Sequence, residues 1–128
     1  MSYHISKIVE GGFEETLKKV VENLKDVGFG VITEIDMQEK LKQKLNIDFK
    51  KYVILGACNP GFAYEAMQME EELGVLLPCN VVLIDMEDGH IKVSAVDAQK
   101  MMSVVGNDAL DAVSATVNDR LKQALENL

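Results

Sequence analysis

Cys58 and Cys79 are the only cysteines in the 128-residue chain, and each is followed by an asparagine. Cys58 stands in Gly56-Ala57-Cys58-Asn59-Pro60-Gly61, between an apolar run and a helix start. A thiol beside the unpaired N–H groups of a helix N-terminus meets a partial positive charge, which favours its thiolate. Cys58 is therefore the candidate nucleophile or ligand contact. The competing reading is a small buried apolar residue at a strand end, because free cysteine is among the most buried residue types. Cys79, in Pro78-Cys79-Asn80-Val81, is the candidate resolving thiol. Two antiparallel strands would bring the thiols close, whereas parallel strands would hold them ~15–20 Å apart, a strand length. Glu34 and Asp36 lie two apart on a strand end, so both carboxylates can share one face, although Asp36 also fits a helix cap. Asn59 and Asn80 supply amide donors. The expected ligand groove is thus Glu34, Asp36, Cys58, Asn59 and Asn80.

Several chemistries are missing their residues. There is no Cys-x-x-Cys, and His4 and His90 do not fall at zinc-site spacing, so no metal site is expected and no cofactor is assigned. Gly56 to Gly61 has the first half of a phosphate-loop spacing, but Phe62 occupies the lysine position. Neither cysteine has an arginine six residues on, and no Gly-x-Ser-x-Gly occurs.

The elements that must position these groups follow from periodicity. Residues ~3–10 alternate as a strand, and Gly11-Gly12 ends it. Phe13, Leu17, Val20, Val21, Leu24 and Val27 recur at helical spacing, with Gly28 as the left-handed cap. Phe29–Ile35 is a second strand. Asp36 and Glu39 form a capping box for a short helix to Asn46. Tyr52–Ala57 is apolar at consecutive positions, as in a strand covered on both faces. Asn59 caps and Pro60 opens a helix that runs from Gly61 to Leu73. Val81–Ile84 is another strand, and Asp88-Gly89 a two-residue hairpin turn into Ile91–Ala95. Asp97 caps a short helix through Met102, and Asn107 or Asp108 caps a last helix to about residue 126. The fold class is α+β: one domain over 1–128, a two-layer sandwich with a mixed, mostly antiparallel sheet of about five strands and helices packed on it.

Composition narrows the partners. Thirteen basic against 21 acidic residues give −8, and no basic stripe compensates, so nucleic acid and anionic membrane surfaces are disfavoured. The longest charge-free runs, Tyr52–Tyr64 and Leu73–Ile84, fall short of the ~18 residues of a membrane span. The N-terminus lacks the apolar core of a signal peptide, and two cysteines make no disulfide scaffold, so a cytoplasmic location is expected.

The segments Phe29–Asp36, Tyr52–Pro60 and Leu76–Val81, taken in order and spacing, resemble the domain-of-unknown-function family numbered 302 over nearly the whole chain. The resemblance implies a small α+β protein that forms homodimers, and it implies no reaction, cofactor or catalytic residue. The expected function is a dimeric small-ligand-binding domain. Two alternatives stand beside it: a thiol-dependent redox or group-transfer enzyme using Cys58, and a protein-interaction domain without a pocket.

Overall fold

The computed structural model describes residues 2–128. Its strands are β1 (His4–Glu10), β2 (Gly30–Asp36), β3 (Tyr52–Cys58), β4 (Cys79–Asp85) and β5 (His90–Val96). Its helices are α1 (Phe13–Asp26), α2 (Met37–Leu45), α3 (Pro60–Met69), α4 (Ala98–Ser103) and α5 (Asp111–Glu126), with 3₁₀ turns at Glu71–Leu76 and Asp108–Leu110. The strands form one sheet in the order β1-β5-β4-β3-β2, and every pairing is antiparallel.

Strand alternation explains the layering. Val53, Leu55 and Ala57 of β3, Val81 and Leu83 of β4, and Val93 and Ala95 of β5 are buried beneath the helices. Val20 and Leu24 of α1 and Val117, Leu121 and Ala124 of α5 close the same core. A fully buried leucine or valine contributes about 1.5–3 kcal/mol, so this single seam holds the layers together. The alternate positions Tyr52, Ile54, Val82 and Ile84 are only half-buried. Consecutive apolar residues in β3 and β4 thus reflect one face under helices and a second face that the described residues leave partly open.

Local chemistry sets the element ends. Asp36 Oδ1 accepts from the N–H of Glu39 at 3.0 Å, as a cap should. The reciprocal half of the expected capping box is not made, because Glu39 Oε1 accepts instead from Gln43 Nε2 at 2.9 Å. The helix expected from Gly61 to Leu73 stops at Met69, where Glu70 is extended. Asn107 Nδ2 donates to the carbonyl of Met69 at 3.1 Å and to Glu70 Oε1 at 3.2 Å, which ends α3 from across the fold. The break also moves Glu71 and Glu72 from an unfavourable helix C-terminus to the start of a new turn. The hairpin after β4 spans four residues instead of two, with Glu87 and Gly89 both at positive φ.

Asn118 fixes α4 against α5. It is 2% exposed; its Oδ1 accepts from the N–H of Ala98 at 2.7 Å, and its Nδ2 donates to Asp97 Oδ1 at 3.0 Å and Gln99 Oε1 at 3.1 Å. Every hydrogen-bonding group of that buried amide is thereby matched, as burial demands. The bonds hold Met102 and Val117 where they wall the cavity described next.

Candidate functional site

The end of β3, the first turns of α3 and the segment leading into β4 enclose a cavity of about 270 Å³. Its floor includes Ala57 and Cys79, its sides Phe29, Phe62 and Val117, and Cys58 and Asn59 also line it. The Leu77–Pro78 peptide at its edge is cis. The two thiols are the only ionisable groups among the described residues of the lining. The surface offered to a ligand is almost wholly apolar.

Antiparallel pairing is what unites the cysteines. Ala57 faces Cys79 in register, so Cys58 is one residue beyond that pair, and both residues line the same cavity. Cys79 is 4% exposed, and Cys58 is half-buried. Burial pushes the Cys79 thiol up to about 11, and the neighbouring charge of an ionised Cys58 adds to the rise. Cys79 is therefore a neutral thiol at ordinary pH.

Asn59 is committed to structure. Its Oδ1 accepts from the N–H of Phe62 at 3.0 Å, the N-cap of α3. Its Nδ2 donates to the carbonyl of Gly28 at 3.0 Å, just past the C-terminus of α1. The adjoining carbonyl of Val27 accepts from Arg120 Nη1 at 3.1 Å, and the same guanidinium lies 5.6 Å from the centre of the Phe62 ring. Gly28 must stay bare here, because it has φ +90° and a Cβ would lie 2.9 Å from Asn59 Nδ2. One cluster of side chains thus ties α1, α3 and α5 together at the cavity wall.

The other expected groove residues lie elsewhere. Glu34 faces a shallow concavity against α1, beside Leu17 and Val21. Asp36 caps α2. Asn80 is exposed and lines a depression on the open sheet face with Tyr52, Val82 and Lys92. Of the expected five, the cavity brings together Cys58 and Asn59, and it adds Cys79. The sequence reading missed the aromatic wall and Arg120. Met67 and Met102 both line the cavity. Among the described residues no three His, Cys, Asp or Glu side chains gather as a metal site, and no helix is long and apolar enough to cross a membrane.

A family model described as domain of unknown function DUF302 matches residues 5–128. The crystal structure of an uncharacterized conserved protein DUF302 from Bacillus stearothermophilus is similar at 30% sequence identity and a TM-score of 0.91, covering 99% of this chain and 98% of that one. No curated protein matches the chain.

Proposed function

The chain belongs to the DUF302 family, a premise that brings a fold and no reaction, and from the site itself we propose that it binds a compact, uncharged, apolar small molecule. The observation that carries this reading is the cavity of about 270 Å³, almost wholly apolar in its lining, at the junction of β3, α3 and β4. Ligand sites are mostly apolar with a few placed polar groups, and this volume lies just below their usual range of about 300–1,000 Å³, which selects a small occupant. Affinity comes from desolvating apolar surface on both sides. The groups able to orient a ligand are the Cys58 thiol and the amide N–H of Asn59 not directed at Gly28. The thiol-enzyme alternative lacks a base at the cavity, so binding is the better-supported reading.

Titration with the uncharged fluorophore N-phenyl-1-naphthylamine tests it. Saturable emission at one probe per chain is expected, lost in Ala63→Leu, which fills the cavity from α3. Absence of saturable binding, or binding indifferent to Ala63→Leu in a variant that melts normally, refutes the reading.

The open sheet face supports a second part of the proposal, a homodimer. Ile54, Val82 and Ile84 are half-buried there, and Ile35 and Ile8 are exposed. An apolar face of that kind is hidden most simply by a two-fold copy of itself. Sedimentation equilibrium at micromolar concentration should give twice 14.2 kDa. A single species at the chain mass would overturn it.

A further inference from the structure

We propose that the depression on the open sheet face is a second binding site, which takes a flat, apolar, monovalent carboxylate of the aromatic-acid class through Lys92. Strand register builds it. Ser94 of β5 stands opposite Ser6 of β1 and Val82 of β4, Lys92 opposite Ile84, and Ile84 opposite Tyr52 of β3. Facing residues share a face of the sheet, and these positions alternate with the ones buried beneath the helices. Tyr52, Val82, Ile84, Lys92 and Ser94 line a space of about 290 Å³ there.

Charge selects the ligand. Lys92 is half-buried and makes no ion pair among the described residues. No carboxylate lines the depression, and Glu10, on the same face at the end of β1, lies 3.7 Å from His90 instead. A bound carboxylate gives the ammonium a charge-assisted hydrogen bond, whereas a cation is repelled and a neutral ligand leaves Lys92 unpaired. One lysine matches one negative charge. A second donor comes from a side-chain relay: His4 Nδ1 lies 2.7 Å from Ser6 Oγ, which lies 2.7 Å from Ser94 Oγ. Hydroxyl protons rotate to suit their partners. With the proton on His4 Nδ1, Ser6 donates to Ser94, and the Ser94 proton is free for an anion in the depression. The apolar body of the ligand packs on Val82, Ile84 and the Tyr52 ring.

The depression lies on the face that the dimer reading covers, but its lining comes from one chain and does not rest on that reading. In calorimetry at low salt, 2-naphthoate should bind the full chain at one per chain. The uncharged isostere 2-naphthamide should bind about tenfold more weakly, the size of one hydrogen bond to a charged group. Lys92→Met keeps the apolar stem and removes the charge; it should weaken naphthoate about tenfold and leave naphthamide unchanged. Ser94→Ala should weaken naphthoate several-fold. Absence of saturable naphthoate binding, equal affinity for the two probes, or naphthoate affinity unchanged in Lys92→Met overturns the proposal. Naphthoate binding lost in Ala63→Leu belongs to the cavity beside α3 and overturns it too. If Lys92→Met does not fold, the naphthoate–naphthamide comparison on the unaltered chain carries the test. Sedimentation of the same samples separates the readings. Naphthoate bound to a species of the chain mass supports the site and refutes the dimer, whereas a dimer that binds no naphthoate refutes the site alone.

Discussion

Replacing Asn59 by alanine removes two restraints at the cavity wall, and the structure lets their sizes be separated. Loss of the cap to Phe62 N–H costs about 1 kcal/mol, the usual effect of truncating an N-cap. The bond from Nδ2 to the Gly28 carbonyl adds a net contribution of about 1 kcal/mol at most, less where water reaches the freed oxygen. The sum is about 1.5–2 kcal/mol, which for a chain of this length lowers the melting temperature by about 5–9 °C. Asn59→Asp divides the two. It keeps an acceptor for Phe62 N–H and places a negative charge at the α3 N-terminus, which the helix dipole favours. It also turns an oxygen toward the Gly28 carbonyl, so the tether is lost. Its stability should fall between wild type and Asn59→Ala in urea and thermal unfolding. An alanine variant within 0.5 kcal/mol of wild type, about the low end for a lost cap, would refute the cap reasoning. An aspartate variant less stable than the alanine variant would show that repulsion between its carboxylate and the Gly28 carbonyl outweighs the retained cap. Naphthylamine affinity measured on the folded variants then reports any separate contribution of Asn59 to binding.

Gly56→Ala should destabilise by about 1–3 kcal/mol, as overpacking does, because its Cβ would overlap Thr33 Oγ1 and lie 2.7 Å from Pro78 Cγ. Adding Thr33→Ala should recover part of that loss, and a double-mutant cycle with no coupling would contradict the steric account. Iodoacetamide at pH 7 should alkylate half-buried Cys58 well before Cys79, whose burial and pKa of about 11 keep it a hidden neutral thiol. Equal rates by timed mass spectrometry on folded protein would refute the placement. Burial tends to raise the Asp97 carboxyl, but hydrogen bonds from Lys100 N–H and Asn118, the Lys100 charge and the Gln99 N–H together hold it below 3.8. A lowered folded-state value stabilises above the unfolded-state pKa and loses that contribution as pH falls through the folded value. Acid unfolding below pH 3.8 should therefore be less steep in Asp97→Asn, and an unchanged acid limb would count against this source.

The elements were legible because their signals are local. Helical spacing and Gly28 bound α1, Asp36, Asn59 and Asp97 each accept the cap bond expected of them, and apolar runs mark β3 and β4. The misplaced boundaries have non-local causes. Nothing between Gly61 and Leu73 stops a helix; Asn107, 37 positions beyond Glu70, does. The two-residue hairpin expected from Asp88-Gly89 failed because Glu87 also takes a positive φ, which widens the turn to four residues. The consecutive apolar residues of β3 and β4 were read as covered on both faces, but chain pattern alone does not say whether the second cover is a helix or another molecule.

The site divides along the same line. Cys58 and Cys79 were separated in sequence by an undecided strand direction, and the antiparallel β3–β4 register is the fact that joins them. Glu34 and Asp36 were placed in the groove because they lie two apart on a strand end and can share one face. Yet β2 is the sheet's edge strand, and its register sets Glu34 opposite Leu55 and Asp36 opposite Val53, further along β3 from Cys58. Asn80 alternates to the opposite face from Cys79, as adjacent residues of a strand must. A Cys-Asn dipeptide at a strand start therefore divides its chemistry between the layers, the thiol to the cavity and the amide to the open face. At the strand end, Cys58-Asn59 turns into a helix, so both residues reach the cavity and the amide is spent on the cap. The same two letters thus do different work, and the direction in which the backbone leaves the sheet decides which.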